Sequence, residues 1–180
     1  GGAGDDYLRG DAGADRLFGG AGHDTLSYDL SFFDAFAFRG IVLDVASGTA
    51  TDPWGGQDRF AGFESYRDSA FADRMTGTAA TETWHLGAGA DTLDGGGGGD
   101  WLDYAASAGL GGTRGILADL ALGRVRDPWG HLDLVTGVAA LGGTFRDDVL
   151  RGDGGANSFD GRQGTDRFDG RGGFDRIGFW

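Results

Sequence analysis

The sequence predicts an all-β repeat fold of very short strands and tight turns, on three observations. Residues 1–27 divide without remainder into three nine-residue units, GGAGDDYLR, GDAGADRLF and GGAGHDTLS, which share Gly at the fourth place, Asp at the sixth and Leu at the eighth. Glycine supplies 39 of the 180 residues, too many for a helix-rich domain and without the every-third spacing of collagen. The acidic residues are 26 Asp and 2 Glu, against 15 Arg and no Lys, a bias toward the short carboxylate that turns favour.

Leucines nine apart fall on opposite sides of a 3.6-residue helix, so each unit reads as a strand plus a turn. Three residues around each of Leu8, Leu17 and Leu26 make the strand. The six before it make the turn, where Gly4, Gly13 and Gly22 reach backbone angles that strain other residues and Asp6, Asp15 and Asp24 point a short side chain inward. These units resemble the nonapeptide GGxGxDxUx of the RTX, or hemolysin-type, calcium-binding repeats. The resemblance implies a right-handed parallel β-roll, a β-helix solenoid in which two units complete a coil and calcium sits between stacked Gly/Asp-rich turns. The chemistry suits the ion, a hard cation that takes six to eight oxygens. Two stacked glycine turns offer backbone carbonyls and one carboxylate each.

From Tyr28, Leu30, Phe32, Phe36 and Phe38 take alternate positions, which reads as a strand or a half-buried cover. The stretch from Gly40, GIVLDVASGTATDPWGGQDRF, reads as strand, turn, strand and then a DPWG type I turn, with Pro53 second and Gly55 fourth. It resembles the non-repetitive stretches between RTX blocks.

A second block over 68–103 holds four units, with Asp73, Glu82, Asp91 and Asp100 at the sixth places and Met75, Trp84, Leu93 and Leu102 at the eighth. Phe71 and Ala80 stand where the fourth Gly belongs. The interlude then recurs at an offset of 75, so that Asp52, Pro53, Trp54, Gly55 and Asp58 map onto Asp127, Pro128, Trp129, Gly130 and Asp133. A third block over 143–178 has Asp148, Asn157, Asp166 and Asp175 at the sixth places and Leu150, Phe159, Phe168 and Ile177 at the eighth. The chain thus reads as a tandem duplication in one continuous solenoid: a repeat block over 1–27, an interlude plus block over 28–103, and a second such pair over 104–180. A lone GxGxD would be a weak signal; eleven phased units are a specific one.

Calcium is expected where turns eighteen residues apart both carry a ligand: Asp6 with Asp24, Asp73 with Asp91, Glu82 with Asp100, Asp148 with Asp166, and Asn157 with Asp175. Glu82 departs from Asp by reach and Asn157 by lost charge, so those two pairs are expected to bind more weakly. Asp15 meets Phe33 eighteen residues on and is expected to hold half a site. The resemblance adds the backbone carbonyls of Gly2, Gly4, Gly20, Gly22, Gly87, Gly89, Gly96, Gly98, Gly164 and Gly173 as further ligands. Trp84, Phe159 and Phe168 occupy the inward eighth place and read as core, while Trp101 at the seventh place faces outward. Trp54 and Trp129 read as anchors of the DPWG turns, and His23, His85 and His131 as exposed loop residues.

Several classes are excluded or disfavoured. The formal charge of −13 argues against nucleic acid as a partner and implies self-repulsion that bound cations relieve. There is no cysteine for a disulfide or thiolate zinc site, and no apolar run long enough for a membrane span. No nucleophile elbow, HExxH helix or Walker loop is present, so no catalytic residue is assigned. The chain opens inside a repeat at Gly1 without a signal peptide, and is expected to be a piece of something longer. The expected function is a calcium-driven folding module of a secreted, extracellular bacterial protein that leaves by type I secretion machinery. Alternatives are the non-catalytic C-terminal module of a secreted metalloprotease, lipase or alginate epimerase, or a segment of an adhesin or surface-layer protein. A polysaccharide or cell-surface partner stays open.

Overall fold

Nineteen short strands form two sheets in a computed structural model that describes residues 1–29 and 36–178. The first block supplies β1 (Tyr7–Arg9), β2 (Arg16–Phe18) and β3 (Thr25–Ser27). The first interlude gives β4 (Val42–Asp44), β5 (Thr49–Thr51), β6 (Gln57–Ala61) and β7 (Ser65–Arg67), and the second block β8 (Arg74–Thr76), β9 (Thr83–His85), β10 (Thr92–Asp94) and β11 (Asp100–Asp103). After a 3₁₀ helix, Ala105–Leu110, come β12 (Leu117–Asp119), β13 (Arg124–Arg126), β14 (Leu132–Thr136) and β15 (Val138–Gly142). The third block closes the series with β16 (Val149–Arg151), β17 (Ser158–Asp160), β18 (Arg167–Asp169) and β19 (Arg176–Gly178).

Successive units of the repeat blocks alternate between the sheets, so their strands pair in parallel with those two units away. One sheet is parallel throughout, in the order β1-β3-β7-β9-β11-β15-β17-β19. Its register stacks the eighth-place residues and their interlude counterparts Tyr66 and Leu141 into one row, Leu8, Leu26, Tyr66, Trp84, Leu102, Leu141, Phe159 and Ile177, of which Ile177 at the last coil is exposed. Leu26, Trp84, Leu102 and Leu141 are wholly buried, and Tyr66 stacks on Trp84 at 4.9 Å. Such a contact adds roughly 0.5–1.5 kcal/mol beyond the buried area. The core thus comes from the apolar eighth place, as its period requires. At the outer coils Leu8, Leu17 and Phe168 are only half-buried.

The second sheet, β18-β16-β12-β13-β14-β10-β8-β4-β5-β6-β2, carries the interludes. Each interlude inserts an antiparallel meander between parallel neighbours: β4-β5-β6 and, one copy later, β12-β13-β14. The DPWG turn joins the last two strands of each meander. Gly55 N–H donates to Asp52 O at 3.0 Å and Gly130 N–H to Asp127 O at 3.1 Å, with both glycines at positive φ.

The stretch after Tyr28 departs from expectation. Tyr28 is buried, but Phe36 and Phe38 are exposed and outside any strand, Phe36 at φ 81°. Instead of a sheet neighbour, Phe38 N–H finds Pro53 O at 3.1 Å, tying the segment to the DPWG turn. The expected alternating positions Leu30 and Phe32 lie outside the described residues. Trp101, beside the wholly buried Leu102, is half-buried, and Trp54 and Trp129 are half-buried in their turns.

Candidate metal centre

The parallel register sets each sixth-place carboxylate under the backbone of the coil before it. In all five nominated pairs the upper residue's N–H donates to Oδ1 of the lower one: Asp6 to Asp24 at 2.8 Å, Asp73 to Asp91 at 2.9 Å, Glu82 to Asp100 at 2.7 Å, Asp148 to Asp166 at 2.9 Å and Asn157 to Asp175 at 2.9 Å. A second-place amide of the same unit closes several of the turns, as Gly2 N–H does on Asp6 Oδ2 at 2.7 Å and Thr144 N–H on Asp148 Oδ2 at 2.7 Å. Glycine is required where the turns stack: Gly22 has φ 148°, and a Cβ there would lie 2.3 Å from the Gly4 carbonyl oxygen.

Among the described residues four carboxylate oxygens are buried without a hydrogen-bond partner: Oδ2 of Asp24, Asp68, Asp91 and Asp100. A buried ionised carboxylate needs a cation or a proton. Burial accordingly pushes Asp91 up to about 8, Asp100 to about 7 and Asp73 to about 6, and raises Asp68 and Asp148 above the usual carboxylate range. Buried carboxylate oxygens and backbone carbonyls at stacked glycine turns are the kind of hard oxygen donors that calcium takes. The residues present therefore fit the ion that the repeats imply.

The sequence reading missed part of these rows. Asp15 does not lack a neighbour: its N–H donates to Asp58 Oδ1 at 2.8 Å, because β2 pairs with β6. Phe33, the residue eighteen places on that offers no ligand, lies outside the described residues. Likewise Asp24 N–H meets Glu64 Oε2 at 2.9 Å and Asp91 N–H meets Asp133 Oδ1 at 3.1 Å. A signal was available, since Asp58-x-Phe60, Glu64-x-Tyr66 and Asp133-x-Val135 repeat the sixth-to-eighth-place pattern. Asp58 and Asp133 differ from the calcium candidates, because the buried Tyr28 and Tyr104 hydroxyls donate to their second oxygens.

The Glu82 and Asn157 turns also close on themselves. Glu82 accepts from the Thr78 hydroxyl and backbone N–H, and Asn157 Oδ1 accepts from Asp153 N–H at 2.9 Å. In the third block arginines bridge the coils: Arg162 Nη1 reaches Asp103 Oδ1 and the Gly143 carbonyl, and Arg171 forks onto both oxygens of Asp119 while also reaching the Gly152 carbonyl. His85 corrects another expectation. It lies on β9 with its ring largely buried 3.8 Å from Asp103, and burial holds it at about 4, hence neutral at pH 7. His23 and His131 are exposed as expected.

Comparison with known families gives a match to the RTX calcium-binding nonapeptide repeat (4 copies) over residues 1–29, 76–107 and 142–177, more than half of the chain. No curated protein matches it.

Proposed function

Because the chain belongs to the RTX calcium-binding nonapeptide repeat family, we propose that it is a calcium-folded module of a secreted bacterial protein, exported unfolded through a type I channel and locked outside by calcium. The observation that carries this reading is the set of buried, partnerless carboxylate oxygens at stacked turns, Asp24, Asp91 and Asp100 Oδ2. When bound, calcium supplies positive charge and oxygen coordination there. Asp6, Asp24, Asp73, Asp91, Asp100, Asp148, Asp166 and Asp175 would hold it, with Glu82 and Asn157 as weaker ligands and the turn carbonyls completing the shell.

The mechanism is linkage. Extracellular-type sites bind at about 10⁻⁴–10⁻³ M, so they are empty in the cytosol and filled outside. At ten times the dissociation constant each site adds roughly 1.4 kcal/mol, and several together decide the folding of a small roll. With a formal charge of −13, the metal-free chain also repels itself. Far-ultraviolet circular dichroism during a calcium titration, with magnesium as control, tests the reading. A coil-to-β transition between sub-millimolar and millimolar calcium, absent with magnesium, is expected; a spectrum indifferent to calcium would sink it.

A further inference from the structure

We infer that Asp68, Asp73 and Asp91 form a three-carboxylate site for a hard divalent cation, tighter than the two-carboxylate sites elsewhere in the roll; the inference rests on the calcium-module reading. One oxygen from each of the three lies within 4.8 Å of the other two, and the residues are 3%, 3% and 1% exposed. The cluster has a second feature that points to a ligand. Asp68 Oδ2 and Asp91 Oδ2 are buried with no hydrogen-bond partner, although Gly87 N–H satisfies Asp68 Oδ1 and Asp73 N–H satisfies Asp91 Oδ1. None of the ion pairs among the described residues reaches any of the three.

Asp68 is not part of the repeat pattern. It stands at the first place of its unit, and the copy 75 residues on has Gly143 there, with Asp148 and Asp166 matching Asp73 and Asp91. In that later copy Arg162 brings a guanidinium to the Gly143 carbonyl, whereas the position matching Arg162 in the second block is Gly87. The second block thus gains a buried carboxyl group where it lacks the internal cation. Three carboxylates against a divalent ion raise the affinity through ligand charge. A cavity of about 130 Å³, lined by Asp68, Ser69, His85, Asp103 and Trp129 among others, adjoins the cluster at Asp68.

The test is calorimetric titration of the 180-residue chain with calcium alone. Asp68→Asn keeps an oxygen for Gly87 N–H and removes the charge; Asp68→Gly copies the later block. The expected result is that the tightest class of sites weakens about tenfold or more in both variants while the remaining classes hold. Unchanged affinity at every site overturns the assignment, as does a uniform loss across all sites or failure of both variants to fold in saturating calcium, since Asp68 would then be a structural residue. A parent chain that takes up no calcium overturns the module reading itself, whereas one that binds calcium indifferently to Asp68 overturns only this site.

Discussion

The Tyr104 hydroxyl donates a 2.9 Å hydrogen bond to Oδ2 of Asp133, and Tyr28 repeats the contact on Asp58 at the same distance one copy earlier. Both carboxylates also accept a backbone N–H from the neighbouring coil, Asp91 and Asp15 respectively. The pair marks where a meander interrupts the stacked turns, and the hydroxyl gives the second carboxylate oxygen a donor. Removing it leaves a buried acceptor short, which costs about 1–3 kcal/mol. Tyr104→Phe is therefore expected to lose that much in urea melts at saturating calcium. Tyr66→Phe, which removes a bond to the neutral Phe63 carbonyl, is expected to lose about 1 kcal/mol. Equal losses in the two variants would show that Asp133 gains nothing particular from Tyr104.

Two adjacent glycines separate conformational strain from collision. Gly97 and Gly98 both have φ 96°, but a Cβ on Gly97 meets nothing within 4 Å while one on Gly98 would lie 2.2 Å from the Ala80 carbonyl oxygen. Gly97→Ala is expected to cost about 1–2 kcal/mol from the left-handed backbone alone. Gly98→Ala adds the clash and splays the turns that carry Glu82 and Asp100, so its midpoint falls further and calcium affinity falls with it. The checks are thermal melts and calcium titration side by side; equal behaviour of the two variants would refute the stacking of these turns.

What was legible in the sequence follows from periodicity. The eighth-place row from Leu26 through Trp84 to Phe159 was readable because each coil repeats its register, and the five vertical sixth-place pairs because eighteen residues make a coil. Asp58, Glu64 and Asp133 were missed for the complementary reason. Their partners lie 43, 40 and 42 residues away, since the interlude lengthens the coil without disturbing the stack. Asp68 was invisible as a ligand because it holds a first place, where the pattern asks only for glycine. Phe36 and Phe38 misled by alternating like a strand without a neighbour to pair with.

Arg171 bridges neighbouring coils with a guanidinium. Its guanidinium meets Asp119 Oδ1 at 2.7 Å and Oδ2 at 2.6 Å and the Gly152 carbonyl at 2.6 Å, and it holds the Asp119 carboxyl below its usual range. A planar fork is needed to reach three acceptors at once, which an ammonium cannot reproduce. Arg171→Lys is thus expected to lower the melting midpoint nearly as much as Arg171→Ala, with calcium affinities unchanged in both. A lysine variant that melts with the parent chain would mean that charge alone suffices.

Acid should act in opposite directions on the two forms of the chain. Burial raises Asp91 to about 8, Asp100 and Asp133 to about 7 and Asp73 to about 6 in the metal-free fold, against roughly 3.9 in an unfolded chain. A raised carboxyl binds its proton more tightly when folded, so its contribution is complete below the unfolded value and is lost as pH rises through the folded one. The calcium-free chain is therefore expected to gain β-structure as pH falls from 8 toward 5, since protons neutralise the buried oxygens. Over the same range the calcium midpoint moves to higher concentration, because proton and ion compete for those oxygens. Circular dichroism at pH 8, 6 and 5, with and without calcium, reads both effects. A calcium midpoint that stays constant across this window would mean that the buried carboxylates are not the ligands.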